Sequence, residues 1–139
     1  MGRLKELVIV RGRNFDPPDV EAIVEEHRAV RADSSVVFGI YNAERGTDDV
    51  IVIVESRVEG DEQGALRQEI QASLQRMFGF VAREIVVVRH GAIPRTTSRK
   101  KQRSLAAQWY GDGRFAALRP SSGPQDEGLE RESQAPNSG

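Results

Sequence analysis

Ser35-Val36-Val37-Phe38-Gly39-Ile40-Tyr41 and Val50-Ile51-Val52-Ile53-Val54-Glu55, joined by Asn42 to Asp49, decide the architecture of this chain. Both runs are dense in β-branched residues, whose stiff side chains suit a pleated surface better than a helix. The connection holds Gly46 and acidic residues suited to a turn, so the two runs read as paired antiparallel strands. Upstream, Asp16-Pro17-Pro18 is a helix start, because proline fits the first turn, where its missing N–H is not needed. That helix is expected to run to about Arg28, burying Val20, Ile23, Val24 and His27 and leaving Glu21, Glu25 and Glu26 largely in water. Downstream from Glu62, Leu66, Ile70, Leu74 and Met77 recur at helical spacing, and Gly79 is placed to end a second helix in a left-handed cap. Ile85-Val86-Val87-Val88 is nearly continuously apolar, which predicts a strand buried on both faces in the middle of a sheet.

At the N-terminal side, Leu7-Val8-Ile9-Val10 is a short β-rich run closed by Gly12 and Asn14, one arm of a small ribbon. At the other side, Pro94 opens a polar basic loop, Arg95 to Arg103, before a short helical segment offering Leu105, Ala106 and Trp109 for packing. The fold class is therefore α+β: a small mixed three-stranded sheet with two or three packed helices, preceded by a two-stranded antiparallel ribbon. From Pro120 the chain turns to Ser, Gly, Pro, Gln and Glu, which cannot bury enough surface to offset the entropy of ordering. Residues 1–118 read as one domain and 119–139 as a disordered tail.

Composition narrows the function. Twenty Lys+Arg oppose 21 Asp+Glu, a formal net charge of -1, so no global basic field attracts nucleic acid or an anionic membrane. There is no cysteine, which removes disulfides, thiolate metal sites and a Cys nucleophile. No apolar run approaches the ~20 residues that span a bilayer, and Met1-Gly2-Arg3-Leu4-Lys5 lacks the apolar stretch of a signal peptide. A soluble, cytoplasmic chain is the expectation. His27 and His90 are the two histidines, without a Cys or His partner at metal spacing, and both read as structural. No Ser-His-Asp set or carboxylate pair can be assembled.

Arg95-Thr96-Thr97-Ser98-Arg99-Lys100-Lys101-Gln102-Arg103 places five cations beside three hydroxyls. Guanidinium, ammonium and hydroxyl donors together suit a phosphate or carboxylate. A solvated surface loop is the plain alternative, and an RNA contact is disfavoured because no aromatic side chain interrupts the run for base stacking. The other segment of interest, Arg11-Gly12-Arg13-Asn14 after the first strand, is by itself a turn. It lacks the spacing of a phosphate-binding loop.

Together the two segments resemble the C-terminal domain of the adenylate-forming superfamily, the acyl- and aryl-CoA synthetases and adenylation domains. Gly2-Arg3-Leu4-Lys5-Glu6-Leu7-Val8-Ile9-Val10-Arg11-Gly12-Arg13-Asn14, with Pro17, Asp19 and Glu21, looks like the start of that domain. Ile93-Pro94-Arg95-Thr96-Thr97-Ser98-Arg99-Lys100-Lys101-Gln102-Arg103 is similar to its closing motif, Pro-Lys-Thr-x-Ser-Gly-Lys-x-x-Arg. Arg-Gly-Arg-Asn at the ribbon turn looks more like fatty acyl-AMP ligases than acyl-CoA synthetases, which usually carry Gly-Gly-Glu-Asn. Two positions depart from the pattern: Arg95 stands for a common lysine, and Arg99 for the glycine before the catalytic lysine. At the latter, glycine serves a backbone conformation that arginine adopts only with strain.

The resemblance implies a role for each matching residue. Lys100 takes the position of the adenylation lysine, Arg3 that of the arginine on the nucleotide ribose, Lys5 that of the hinge, and Gly12 lines the path of the acceptor thiol. Lys101, next to Lys100, is expected to matter much less. The implied reaction activates a fatty acid with ATP and Mg2+ to an acyl-adenylate. Transfer to the thiol of an acyl carrier protein or polyketide synthase carrier domain follows, with CoA as the alternative acceptor. The partner is a large N-terminal adenylation domain, without which the chain is expected to be inactive. The rival reading is a non-catalytic binding or regulatory module that retains the fold.

Overall fold

The computed structural model describes residues 7–118 of the 139. Arg3, Lys5 and the tail from 119 onward lie outside the described residues. Strand β1 (Val8–Val10) and strand β2 (Arg13–Phe15) form the antiparallel ribbon, followed by helix α1 (Pro17–Val24). Strands β3 (Ser35–Asn42) and β4 (Thr47–Glu55), helix α2 (Asp61–Phe78) and strand β5 (Glu84–Val88) complete the sheet unit. Helix α3 (Arg103–Gly111) and a 3-10 turn at Arg114–Leu118 follow. The sheet order is β3-β4-β5, with β3 antiparallel and β5 parallel to β4. This is the α+β arrangement expected, a mixed three-stranded sheet behind a two-stranded ribbon.

Alternate residues of each strand feed two cores, one on each face of the sheet. Val37, Val50, Val52, Val54, Ile85 and Val87 pack toward α1, α2 and the ribbon. Val36, Phe38, Ile51, Ile53, Val86 and Val88 pack toward α3, Ile93 and Phe115. Burying a Val or Ile side chain fully is worth about 1.5–3 kcal/mol. That is why β4 shows no polar alternation from Val50 to Val54. It also corrects the placement of β5: β4 is central and β5 is hydrogen-bonded to β4 alone. Ile85 to Val88 are buried because both faces of β5 are covered, which an apolar run reports equally well.

One boundary and two burial assignments differ from the sequence reading. Helix α1 ends at Val24 instead of near Arg28, and its buried stripe is Pro17, Val20, Glu21 and Val24. Glu21 is therefore inside, 4% exposed, although an acidic residue at that point reads as solvated. In α2, Leu66, Ile70 and Leu74 are buried with Ser73, whereas Met77 is 55% exposed. Gly79 does cap that helix in the left-handed region, at φ 83°.

The ribbon turns through Arg11 (φ 49°) and Gly12 (φ 83°), two positive φ angles in succession. That is the twist-matched two-residue hairpin geometry, for which glycine is suited. Side chains then lock the ribbon to the start of β4: Asp48 Oδ2 accepts from Ile9 N at 2.8 Å and Thr47 Oγ1 accepts from Arg11 N at 2.8 Å. Phe15, Phe78 and Phe80 form an aromatic cluster with centroids 4.9–5.8 Å apart, joining the ribbon to the end of α2.

Helix α3 is tied to β5 by a hydrogen bond from the Tyr110 hydroxyl to the Glu84 carboxylate. Burial of the phenol, the Glu84 bond and the Glu84 charge push the Tyr110 pKa from 10.0 up to about 12. A raised folded-state value means the contribution to stability is full below pH 10 and is lost as pH rises through about 12. The chain has two tyrosines, so in a Tyr41→Phe background the phenolate absorbance reports Tyr110 alone. The expected midpoint is about 12, moving back toward 10 in Glu84→Gln. A midpoint unmoved by Glu84→Gln would remove the hydrogen bond as a cause.

Candidate functional site

The basic loop is a tight hairpin held from within and anchored from below. Arg95 and Lys101 pair as an isolated antiparallel bridge, and Gln102 N donates to Pro94 O at 2.9 Å. At its tip Thr96 N donates to Lys100 O at 2.9 Å, Arg99 N donates to Thr96 O at 2.8 Å, and Thr96 Oγ1 accepts from Lys100 N at 3.1 Å. The tip closes through Arg99 at φ 71°, the left-handed conformation that glycine adopts without strain. An arginine held there costs on the order of 1 kcal/mol, and tolerating it requires a surrounding frame that fixes the backbone.

The frame is an ionic network built on the buried Glu21 and Glu55, with partly buried cations and the exposed Asp33 at its rim. Lys101 Nζ lies 2.9 Å from Glu21 Oε1, 3.3 Å from Asp33 Oδ1 and 3.6 Å from Glu25 Oε2, and donates to Ser35 O at 2.6 Å. Arg103 reaches the other oxygen of Glu21 at 2.8 Å and donates from Nε to Val37 O at 3.0 Å. Arg95 pairs with Asp33 at 3.1 Å and approaches Glu55 Oε1 at 3.8 Å. Glu21 Oε2 also accepts from Val37 N at 2.8 Å. The same side chains thus saturate Ser35 O, Val37 N and Val37 O on the outer edge of β3, a strand edge that would otherwise invite pairing with another chain.

Lys100 sits one residue away and is treated oppositely. It is exposed, and among the described residues its ammonium has no hydrogen bond or ion pair. The two neighbouring lysines therefore divide: Lys101 holds the loop and Lys100 is presented by it. Gly12 stands at the other end of the domain. Its ribbon docks where β4 begins, at Thr47 and Asp48, whereas Glu55, where β4 ends, supports Ile93 N and Arg95 of the basic loop. A nine-residue strand separates the two ends by roughly 26 Å at 3.3 Å per residue.

Residues 5–119 match the family described as Disco-interacting protein 2-like, AMP domain. The chain belongs to that family. Its AMP domain is 34% identical over 125 residues to the long-chain-fatty-acid–AMP ligase FadD28 of Mycobacterium tuberculosis, a match covering 85% of this chain and 21% of that protein. A solved structure from studies of fatty acyl-adenylate ligases of E. coli and L. pneumophila shares 31% identity at a TM-score of 0.66, over 84% of this chain and 20% of that one. The McyG A-PCP structure complexed with phenylalanyl-adenylate superposes at a TM-score of 0.75 with 25% identity, over 84% of this chain and 18% of that one. The chain spans about a fifth of the length of these relatives.

Within the AMP domain, then, Lys100 and Gly12 are brought to exposed loops at opposite ends of one strand, and Arg3 and Lys5 lie outside the described residues. Of the carboxylates that fix the lysine loop, Asp33 and Glu55 carry no signal in the sequence, and Glu21 and Glu25 read there as solvated positions of the first helix, Glu21 otherwise only as part of the resemblance. For Glu21 the signal was present: a carboxylate at i+4 from Pro17 and i+1 from Val20, on the stripe that also carries Val24. His27, in the turn after α1, brings its Nε2 to within 3.2 Å of Ser73 Oγ on α2. Among the described residues no group of three or more His, Cys, Asp or Glu could hold a metal, and no helix is long and apolar enough to cross a membrane.

Proposed function

We propose that this AMP domain is the mobile C-terminal part of a fatty acyl-AMP ligase and delivers Lys100 to a reaction centre on a large N-terminal domain. The observation that carries this reading is the division of the paired lysines, in which a rigid ionic frame built on buried carboxylates presents one unpartnered ammonium on a strained tip. A surface cation cluster needs no such frame.

In the first half-reaction a fatty-acid carboxylate oxygen attacks the α-phosphorus of ATP, the bond to the bridging β-phosphate oxygen breaks, and pyrophosphate leaves. Charge grows on the α-phosphate oxygens, and an ammonium placed against them stabilises the transition state more than the ground state. In the second half-reaction the carrier-protein thiol attacks the acyl carbonyl, losing its proton, and AMP leaves. ATP and Mg2+ are assigned to the large domain, with Arg3 on the ribose. Lys100 and Gly12 belong to loops supported at opposite ends of β4, a strand roughly 26 Å long, which favours two poses over one that brings both to a single centre. Rotation about Lys5 would exchange the Lys100 loop for the Gly12 ribbon, which offers the thiol a path without a side chain. CoA is the alternative acceptor, and a cytoplasmic location follows from the soluble ligase reading.

The test is acid-dependent ATP–pyrophosphate exchange. The chain alone is expected to show none, and addition or fusion of the large domain of a fatty acyl-AMP ligase is expected to give fatty-acid-dependent exchange. Exchange by the purified chain alone would overturn the two-domain division of labour.

A further inference from the structure

One cleft of about 880 Å³ opens beside the lysine loop, at the end of the sheet where β3 begins and β4 and β5 finish. Its walls come from the turn before β3, the loop after β5, Arg99 of the hairpin tip, and Trp109 with Arg114 from the C-terminal helices. The charges on those walls do not cancel. Glu55, with its side chain 2% exposed, accepts from Ile93 N at 3.0 Å and faces Arg95 and His90 at 3.8 and 3.6 Å. Asp33 faces Arg95 and Lys101. Both carboxylates are thus committed to other cations. Among the described residues, Arg31, Arg89, Arg99 and Arg114 line the same cleft with no carboxylate partner, and Arg114 stacks over the Trp109 ring at 4.5 Å.

Four unpaired guanidinium groups around one concavity repel one another unless an anion is shared between them. Their planar forks match phosphate oxygens in pairs, and a cleft of this size accommodates a small organic ligand in place of a single counter-ion. Arg99 adds an independent observation. Its backbone is held at φ 71°, so the loop retains a side chain where glycine would be relaxed, and this residue lines the cleft. Strain kept at one residue calls for a gain elsewhere.

We propose that this cleft binds a polyphosphate group, free as pyrophosphate or carried by a nucleoside diphosphate, through Arg31, Arg89 and Arg99, with Trp109 and Arg114 as one wall. Lys100 is not a member of the site, and binding does not depend on the large domain. Calorimetric titration of the full 139-residue chain with inorganic pyrophosphate, and separately with ADP, tests it. One equivalent of pyrophosphate is expected to bind saturably. Arg89→Ala and Arg99→Gly should each weaken it roughly tenfold, while Arg67→Ala on α2 leaves it unchanged.

Arg99→Gly also relieves the backbone, so a rise in thermal stability coupled to weaker binding separates loss of the site from loss of the fold. Equal affinities for ADP and pyrophosphate mean that the phosphates alone are read; tighter ADP binding adds a contact to the nucleoside. No saturable binding, or affinities unaffected by Arg89→Ala and Arg99→Gly, would overturn the site. Tighter binding of a single-stranded RNA oligomer than of pyrophosphate, with a steep salt dependence, would overturn it in favour of a nucleic-acid surface.

Discussion

Lys100→Ala, in a complex or fusion with a matching large domain, is expected to lower the single-turnover rate of acyl-adenylate formation by about 10²–10³-fold. The size follows from what the side chain does not do in the free domain. It is exposed and holds no partner among the described residues. Its removal therefore leaves no buried charge, and the domain's stability should change by no more than about 0.5 kcal/mol. Transfer from preformed acyl-adenylate to a carrier-protein thiol should be largely spared if, as proposed, rotation about Lys5 turns the loop away in that step. Measuring the two half-reactions and the melting temperature on one variant separates the possibilities. A small loss shared equally by both half-reactions would reduce Lys100 to a surface cation. A large loss accompanied by unfolding would mean that the loop, not the ammonium, was removed.

Much of the fold was legible because its signals are local. The paired runs at Ser35–Tyr41 and Val50–Glu55, the helix opened by Pro17 and Pro18, and the glycine stop at Gly79 each follow from residues a few positions apart. The position of β5 was not legible, since two covered faces and a central place in a sheet produce the same apolar run. The phase of α1 was ambiguous for a related reason. Val20 and Val24 belong to both possible stripes, and the choice between Ile23 with His27 and Pro17 with Glu21 is made by two cations about 80 residues downstream. The motif positions Lys100 and Gly12 were visible only as resemblance. The motif spacing from Pro94 favours Lys100 over the adjacent Lys101, and the structure adds what spacing does not carry: Lys101 is an anchor, paired with Glu21 and bonded to Ser35 O.

That anchoring sets the largest expected effect on stability, at Glu21. Its side chain is 5% exposed and meets Lys101 at 2.9 Å, Arg103 at 2.8 Å and Val37 N at 2.8 Å. A buried pair contributes little net stability when intact, since desolvation offsets most of the attraction, but deleting one member strands the other in a poor solvent for charge. Glu21→Ala is expected to destabilise the domain by about 3–5 kcal/mol, enough to lower its melting temperature by roughly 10 °C or more. Asp33 and Glu25 remain beside Lys101 and favour the lower end of that range. Glu21→Gln keeps the volume and an acceptor for Val37 N, so its smaller loss isolates the charge. The pairing is then measured by the cycle of Glu21→Gln with Lys101→Met, where a coupling of about 1–3 kcal/mol is expected and a value near zero would remove Lys101 from the network. Hydrogen exchange adds a spatial readout: faster exchange at the Val37 amide, which has lost its acceptor in Glu21→Ala, alongside intact protection within β4, would locate the damage at the edge of β3. A melting temperature unchanged by Glu21→Ala would mean that the loop is held by its own hairpin bonds, and Lys100 would then be presented without an ionic frame.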